Sequence, residues 1–235
     1  MKALILNSGV GHRMGTLTAT QPKCMTELVN GQTILSRQIA QLEEQGIREI
    51  AITTGPFVEA LEVHARQSAK IASLTFVNNP DYNETNYIYS VYLARNYLQD
   101  DILSLHGDLV LSSDVLADIL STKGSQMTVS STAPIPEKDF KAVISNGLIQ
   151  AVGVEFFENV MAAQPLYKLE KNDWLLWLHE MARFIESGQK TCYGENALNV
   201  LDGRCNIFPF DVRDRFCMEV DTPEDLALAN RLLIL

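Results

Sequence analysis

The sequence predicts an α/β fold in which a mostly parallel, doubly wound β-sheet is covered by helices on both faces. Short apolar runs alternate with segments of helical periodicity from residue 2 to residue 131, and this alternation is typical of parallel strands joined by crossover helices. No linker rich in Pro, Gly or Ser divides the chain. We therefore expect one domain over residues 1–235, with ligands bound at the carboxyl ends of the strands.

The predicted elements follow one another as strand, helix and strand. Residues 2–6 form an apolar run typical of a buried strand, and residues 34–42 have one apolar helical face that ends before Gly46. The next predicted elements are a strand at 49–53, a helix at 58–66, a strand at 73–77, a helix at 90–98, and strands at 101–105 and 127–131. Together they make a predicted core over residues 1–132.

The pattern changes after Thr132. Residues 141–145 and 148–152 flank Asn146-Gly147, a pair typical of a hairpin turn, and residues 172–187 predict an amphipathic helix that ends at Gly188. We interpret residues 133–210 as a small insertion that faces the substrate. Residues 211–235 then contain a last strand, which carries candidate metal ligands, and a C-terminal helix.

Composition and charge exclude several classes of protein. Hydrophobic residues make up 46% and charged residues 20% of the chain, which is ordinary for a folded domain. The net charge of −10 repels polyanions, so we expect no nucleic-acid partner. The first residues have too short an apolar run for a signal peptide, and no long apolar segment predicts a membrane span. The four cysteines lack C-x-x-C spacing, which favours reduced thiols and a cytoplasmic location.

A glycine-rich loop directly after the first strand is the strongest motif. It includes Gly9, Gly11 and Arg13, and Pro22-Lys23 follows a few residues later. Glycines allow a backbone to approach a ligand closely, and their N–H groups can bind an anion. Arg13 and Lys23 would add fixed positive charge for phosphates. The loop is neither a P-loop nor a dinucleotide-binding loop, because neither spacing is present.

Residues 6–14 with Pro22-Lys23 resemble the signature L-x-x-G-x-G-x-R-[LM] of the nucleotidyltransferases that make NDP-sugars and CDP-alcohols. The resemblance extends along the chain and is greatest to the bacterial phosphocholine and 2-aminoethylphosphonate cytidylyltransferases. It is carried there by residues 79–82, 85–90 and 218–221. The resemblance implies a Rossmann-like, three-layer, GT-A-like nucleotidyltransferase fold, with residues 1–132 as its nucleotide-binding core. It also implies an enzyme that uses Mg²⁺ to transfer CMP from CTP to a small phosphorylated or phosphonylated amine.

The resemblance also implies roles for individual residues. Arg13 and Lys23 would bind the triphosphate, and Lys23, Arg13 and Asp108 would be the catalytic residues. In this sequence Asn7-Ser8 replaces the commoner Ala-Ala pair. The candidate nucleotide-binding residues are Leu6, Asn7, Gly9, Gly11, Arg13, Lys23, Tyr82, Thr85, Asn86 and Ser90. For the tyrosines at the start of the helix near residue 87, packing is as good an explanation as nucleotide contact.

Two acidic positions are candidate metal ligands. Asp108 follows the apolar run 102–105, so it lies at the carboxyl end of a predicted strand, where a metal ligand is a better interpretation than a turn residue. Asp221 ends an alternating strand pattern just before Thr222-Pro223, which begin a helix. Glu219 could share the Mg²⁺ ion or form a solvated pair with Asp221, and both options stay open. We interpret His106 as structural.

Residues in the 133–210 segment are candidates for the acceptor. A cationic amine needs a carboxylate or an aromatic face, and Glu195, Tyr193 and Trp174 supply these, although Trp174 lies in a helical stripe that is also typical of a core. Gly194 replaces an aromatic residue of the phosphocholine enzymes, which favours 2-aminoethylphosphonate. Lys141 and Lys168 could contact the acceptor's phosphonate or be solvated.

Two alternative functions stay open from sequence. A sugar-1-phosphate nucleotidyltransferase would have the same loop and acids. A non-catalytic, nucleotide-binding regulator is the second alternative, and the presence of Lys23, Asp108 and Asp221 argues against it. The sequence leaves homodimer formation undecided.

Overall fold

The computed structural model describes residues 1–234, which form α-helices around one large β-sheet. The strands are β1 (Lys2–Asn7), β2 (Glu49–Thr54), β3 (Ser73–Asn78), β4 (Ile102–His106), β5 (Leu109–Leu111), β6 (Ser125–Ser130), β7 (Lys141–Ser145), β8 (Leu148–Gly153), β9 (Val160–Leu169), β10 (Ile207–Asp211) and β11 (Cys217–Glu219). The helices are α1 (Ile34–Glu44), α2 (Val58–Ser68), α3 (Tyr87–Ala94), α4 (Ser113–Ser121), α5 (Lys171–Glu186), α6 (Gly194–Asn199) and α7 (Pro223–Leu232). Two 3₁₀ segments, His12–Thr18 and Lys23–Met25, follow β1.

The main sheet has the strand order β10-β6-β9-β4-β1-β2-β3. Neighbouring strands are parallel except at β9, which is antiparallel to both β4 and β6. The predicted mostly parallel α/β fold is therefore confirmed. Because β1, β2 and β4 run in one direction, the residues that follow them meet at one edge of the sheet.

Two apolar clusters lie on opposite faces of this sheet. One contains buried residues of α3, α5 and α6, including Ile88, Trp177 and Ala197. The other contains buried residues of α1, α2 and α4, including Ile39 and Leu61. Helices on both faces bury the strands from both sides, which explains why the strands are apolar runs rather than alternating patterns.

Several local predictions are confirmed by backbone geometry. Asn146 and Gly147 both have positive φ, 52° and 75°, as a two-residue turn between β7 and β8 requires. Helix α7 begins with Thr222 as N-cap, whose hydroxyl accepts a hydrogen bond from the Asp225 N–H, and Pro223 occupies the first turn. Gly46 has a φ of 80° just after α1, which suits the end of a helix.

The segment 133–210 contributes more to the core than the sequence predicted. It supplies β9, which lies between β4 and β6, and β10, which forms one edge of the sheet. Its hairpin, β7 and β8, pairs with β9 and extends the same sheet. The register of β6 against β9 shifts between Met127 and Val129, opposite the part of β9 that contains Pro165, which has no N–H to donate.

The strand predicted near the C-terminus is separate from the main sheet. Strand β11 pairs antiparallel with β5 in a two-stranded ribbon that begins just after Asp108. The Val220 N–H donates to the Asp108 carbonyl at 2.9 Å. This pairing brings the residues around 108 and 219 together. Within residues 1–234, no helix combines the length and apolar character that crossing a membrane requires.

Candidate active site

An open cavity of about 620 Å³ lies at the carboxyl ends of β1 and β4. It is bordered by the loop after β1, the turn after β4, the segment before α3 and the segment before β7. Most of the predicted nucleotide ligands line it, namely Leu6, Asn7, Gly9, Gly11, Arg13, Lys23, Tyr82, Thr85 and Asn86. The sequence therefore located the cavity, although it did not locate all of its walls.

The glycine loop is held against Lys23. Gly11 has a φ of 71°, and a Cβ at this position would lie 3.1 Å from Lys23 Cβ. The Thr18 hydroxyl donates to the Gly11 carbonyl at 3.0 Å, which closes the loop on itself. A side chain at residue 11 would be strained and crowded, so glycine suits this position for both reasons.

Lys23 joins the two predicted acidic positions. Its ammonium pairs with Asp108 Oδ2 and with Asp221 Oδ1, the latter at 2.5 Å. Arg13 also reaches Asp221 Oδ1, at 2.8 Å, although its side chain is largely exposed. Three segments distant in sequence thus meet at one point. Burial opposes the charge on Lys23, but the two carboxylates outweigh it and raise the Lys23 pKa.

His106 and Glu219 lie beside this group. His106 Nδ1 is 2.9 Å from Glu219 Oε1, and ligand atoms of His106, Asp108 and Glu219 lie within 4.8 Å of one another. His106, which we interpreted as structural, lines the cavity, where its hydrogen bond to Glu219 could support the site. The sequence did not show this, because only the pairing of β11 with β5 brings Glu219 next to His106.

The charges in this group depend on one another. Burial disfavours a charged His106, but its hydrogen bond to Glu219 and the surrounding carboxylates raise its pKa to about 9. Burial and the Asp108 charge raise the Glu219 pKa to about 7 against the effect of His106. Burial disfavours a charged Asp108, but Lys23 and His106 outweigh this effect and lower the Asp108 pKa. At neutral pH the group therefore holds Asp108 as an anion between two cations.

Asp108 has an oxygen that could bind a cation. Its Oδ1 is buried and has no hydrogen-bond partner among residues 1–234. Carboxylate oxygens are the ligands that Mg²⁺ prefers. Possible ligand atoms of Asp108 and Glu219 lie close together, with His106 hydrogen-bonded to Glu219. Asp221 meets Asp108 at the Lys23 ammonium, so the three carboxylates predicted as metal ligands lie in one part of the cavity.

Ser90 takes a different place from the one predicted. It is buried and does not line the cavity; its hydroxyl accepts hydrogen bonds from Ser8 at 2.7 Å and from Asn79 Nδ2 at 3.0 Å. The Ser8 hydroxyl also forms a hydrogen bond of 2.9 Å with the Thr53 hydroxyl. This buried network ties the glycine loop to β2 and α3. Ser90 therefore supports residues of the cavity wall and is not itself part of that wall.

Glu195 is buried beneath the cavity wall. It is 1% exposed, and its two carboxylate oxygens accept hydrogen bonds from the hydroxyls of Tyr87 and Tyr167. The predicted contact of Glu195 with an acceptor amine is therefore corrected, because its carboxylate is buried and does not line the cavity. A Cβ on Gly194 would lie 3.0 Å from the Tyr87 ring, which explains why a larger residue is absent there.

Aromatic rings line the part of the cavity nearest Glu195. Tyr193, a predicted acceptor contact, lines it, and its ring packs edge-on against Phe140 with centroids 5.0 Å apart. The Tyr87 ring lies between those of Tyr193 and His106. Its centroid is 6.4 Å from the Tyr193 ring centroid and 5.1 Å from that of His106. Phe140, Lys138 and Asp139 were missed, because they lie in an irregular segment with no periodicity to interpret. The one signal in the sequence was the aromatic side chain of Phe140 directly before the strand predicted at 141–145.

Three predicted acceptor contacts lie elsewhere. Trp174 is 1% exposed, and its ring N–H donates to the Leu98 carbonyl in the core. The Lys168 ammonium donates to the Thr122 and Gly124 carbonyls near the amino end of β4. Lys141 is fully buried and donates to two backbone carbonyls. None of these three residues lines the main cavity. Their assignment as substrate contacts is therefore corrected.

Comparison with known proteins is consistent with this geometry. Over 135 residues, the chain is 31% identical to a CMP-5'-(3-aminopropyl)phosphonate synthase from Streptomyces rubellomurinus, covering 57% of this chain and 21% of that protein. It is 30% identical over 129 residues to a CTP:phosphoglutamine cytidylyltransferase from Campylobacter jejuni, covering 52% and 49% of the two chains. The chain thus spans about half or less of these curated relatives.

Solved structures share the whole fold. The CTP:phosphocholine cytidylyltransferase from Streptococcus pneumoniae superposes with a TM-score of 0.78 at 19% identity, covering 99% of this chain and 98% of the other. The inositol-1-phosphate CTP transferase from T. maritima gives 0.80 at 18% identity, with 98% and 95% covered. A model of the MobA-like NTP transferase domain matches residues 3–178. Because this match covers most of the chain and includes the glycine loop, Lys23 and Asp108, the chain belongs to the family of MobA-like NTP transferase domains.

Proposed function

We propose that this protein transfers a cytidylyl group from CTP to a small phosphate or phosphonate that carries an amine, and releases pyrophosphate. The observation that carries the proposal is one cavity in which Lys23, Asp108 and Asp221 meet while aromatic rings line another part. The names of the relatives support it, since they describe a CMP-aminopropylphosphonate synthase and cytidylyltransferases for other phosphorylated compounds. A cytosolic setting, CTP as donor and Mg²⁺ as cofactor belong to this proposal.

The chemistry follows from charge. An oxygen of the acceptor's phosphate or phosphonate attacks the α-phosphorus of CTP, the bond to the leaving pyrophosphate oxygen breaks, and pyrophosphate departs. Two anions must approach each other, so electrostatic stabilisation and positioning are the main requirements. Lys23 and Arg13 would oppose charge on the phosphate oxygens. A phosphate monoester has a second pKa near ~6 and is already a dianion at neutral pH, so no general base is assigned.

Asp108 and Asp221, with Glu219 beside them, would hold the Mg²⁺ ion. The unpartnered Asp108 Oδ1 fits such an ion, and possible ligand atoms of His106, Asp108 and Glu219 lie within 4.8 Å of one another. Asp221 meets Asp108 at the Lys23 ammonium. When bound, Mg²⁺ neutralises charge on the triphosphate. Lys23 would then pass from its two carboxylate partners to the phosphates.

The aromatic wall supports an acceptor with a cationic end. Tyr87, Tyr193 and Phe140 present ring surface to the cavity, and Asp139 adds a carboxylate in the same wall. Ring faces attract ammonium groups. Primary and quaternary amines could both bind there, so 2-aminoethylphosphonate and phosphocholine both belong to the proposal.

Pyrophosphate release from CTP tests the proposal. The acceptor panel is 2-aminoethylphosphonate, phosphocholine, a sugar 1-phosphate, and 2-hydroxyethylphosphonate as the neutral analogue of the first. We expect kcat/KM for an amine acceptor to exceed that for the hydroxyl analogue by about 10-fold or more. Lys23→Ala should lower kcat by ~100-fold and change KM for CTP less. Preference for the sugar phosphate would indicate an NDP-sugar enzyme instead, and absence of turnover with every acceptor would contradict the proposal.

A further inference from the structure

The ammonium of Lys141 is buried without a carboxylate partner. Lys141 is the first residue of β7, and its side chain is 0% exposed. No acidic group of residues 1–234 forms an ion pair with it. A buried charge without a counter-charge is costly unless every donor finds an acceptor. Its surroundings must therefore supply those acceptors.

Two loops supply them. Lys141 Nζ donates to the Pro136 carbonyl at 2.8 Å and to the Glu137 carbonyl at 3.3 Å, both in the segment before β7. It also lies 4.1 Å from the centre of the Phe157 ring, in the segment between β8 and β9. An ammonium has three N–H donors, so two carbonyls and a ring face account for all of them.

Both loops contribute to the cavity wall. The first, residues 131–140, brings Lys138, Asp139 and Phe140 to the cavity, and the second, residues 154–159, brings Val154. Residues of these loops are otherwise exposed: Phe157 is 61% and Ile135 is 43% exposed. Such loops have few buried contacts of their own to fix their shape. The Lys141 ammonium binds both loops and therefore restricts their conformations.

We propose that Lys141 is a positioning residue that joins these two loops and so shapes the acceptor part of the cavity. This inference rests on the proposed function for its substrate. It differs from direct contact with the acceptor, because Lys141 does not line the cavity. Its effect reaches the acceptor through Phe140, the adjacent residue, whose ring packs against Tyr193.

Lys168 provides a matched control. It is also a lysine within a strand and only 6% exposed, and its ammonium donates to two carbonyls, those of Thr122 and Gly124 at 2.6 and 3.0 Å. Those carbonyls lie away from the cavity. Lys141→Met and Lys168→Met thus each remove one buried ammonium group, at two different places in the fold. We expect only Lys141→Met to loosen the cavity wall.

The experiment compares KM for the acceptor, KM for CTP and amide hydrogen exchange in the two variants. For Lys141→Met we expect KM for 2-aminoethylphosphonate or phosphocholine, whichever the wild type uses, to rise about 10-fold. KM for CTP should change less than about 2-fold. Amides of residues 131–140 and 154–159 should exchange faster. Lys168→Met should leave the acceptor KM and these amides unchanged.

Phe157→Ala provides a second variant if Lys141→Met does not fold. Phe157 is exposed, so its loss should be tolerated, and it should raise the acceptor KM in the same direction by a smaller factor. An equal rise of acceptor KM in Lys141→Met and Lys168→Met, or unchanged exchange in both loops, would overturn the inference. A wild type without turnover would contradict the proposed function alone, since hydrogen exchange still reports whether Lys141 orders the loops.

Discussion

Asn7 has a buried amide that faces the cavity with unused hydrogen-bonding capacity. It is 7% exposed, and its Nδ2 has no partner among residues 1–234. The amide lies directly over Gly107, where a Cβ would overlap Asn7 Oδ1. An unpaired buried donor is costly, so a ligand oxygen that accepts from it gains affinity. Asn7 is therefore the side chain of the glycine loop with the clearest capacity for nucleotide contact.

Replacing Asn7 and Gly107 tests this contact. Asn7→Ala should weaken CTP binding by about 10-fold, the value of one hydrogen bond from a buried group. Gly107→Ala should weaken it as well, because the new methyl group displaces the Asn7 amide. The double variant should lose little more than Asn7→Ala alone, since both changes remove one interaction. Isothermal titration calorimetry measures these affinities, and strictly additive losses would refute the coupling.

The positions of candidate site residues were predictable where a local motif carries them, and not where they depend on contacts between distant residues. The glycine loop, Lys23 and Asp108 follow directly from strand ends and a local motif. Contacts across the fold place His106, Phe140 and Tyr87 in the cavity wall, so the sequence alone did not reveal these positions. Glu195 is the reverse case: its residue type suggested an amine ligand, whereas two tyrosine hydroxyls from other elements occupy it.

At the scale of elements, the regular β–α alternation predicted the first half of the sheet closely. Strands β1 to β4 and the hairpin β7–β8 lie within a residue or two of the expected positions. Strand β9 was missed because its ten residues include Pro165, which argues against a central strand. The register shift opposite this part of β9 shows how the sheet accommodates it. Such accommodation depends on tertiary pairing and leaves no periodic signal.

Glu43 shows how a single side chain connects two elements. It lies in the last turn of α1, and its Oε1 accepts hydrogen bonds from the N–H groups of Lys70, Ile71 and Ala72 at 2.9, 2.8 and 2.7 Å. These three groups precede β3. Burial opposes the charge on Glu43, but the three N–H donors and Arg48 outweigh it and lower the Glu43 pKa from 4.5.

Glu43→Gln should therefore destabilise the fold in a pH-dependent manner. At pH 7 we expect a loss of about 1–3 kcal/mol in the free energy of unfolding, because three N–H groups lose a charged acceptor. A lowered folded-state pKa stabilises the fold above 4.5, and this contribution is lost as the pH falls through the folded value. The difference between wild type and variant should thus shrink below pH 4.5 in urea unfolding. Glu44→Gln, at an exposed neighbour, is the control, and a pH-independent difference would contradict the assignment.

At the scale of the whole molecule, charge limits how a nucleotide can bind. The chain has a net charge of −10, and the cavity itself contains Asp108, Asp139, Glu219 and Asp221. Of its cations, Arg13 and Lys23 are paired with Asp221 and Asp108, and His106 is paired with Glu219, whereas Lys138 forms no ion pair among residues 1–234. A triphosphate entering this cavity meets more carboxylates than unpaired cations, so counter-charge brought with it must offset most of the repulsion.

Nucleotide binding should therefore depend on a divalent cation. In a thermal unfolding assay, CTP with Mg²⁺ at about 100 times its Kd should stabilise the protein by ~2.7 kcal/mol, a rise in Tm of roughly 5–10 °C. CTP with EDTA, at matched ionic strength, should shift Tm by much less. Asp108→Asn should remove most of the Mg²⁺-dependent rise, because it deletes the carboxylate whose Oδ1 is unpartnered in the described chain. Asp202→Asn, at an exposed turn outside the cavity, should retain the full rise. An equal Tm shift with Mg²⁺ and with EDTA would mean that Lys23 and Arg13 alone balance the triphosphate, and Asp108 and Asp221 would then not be metal ligands.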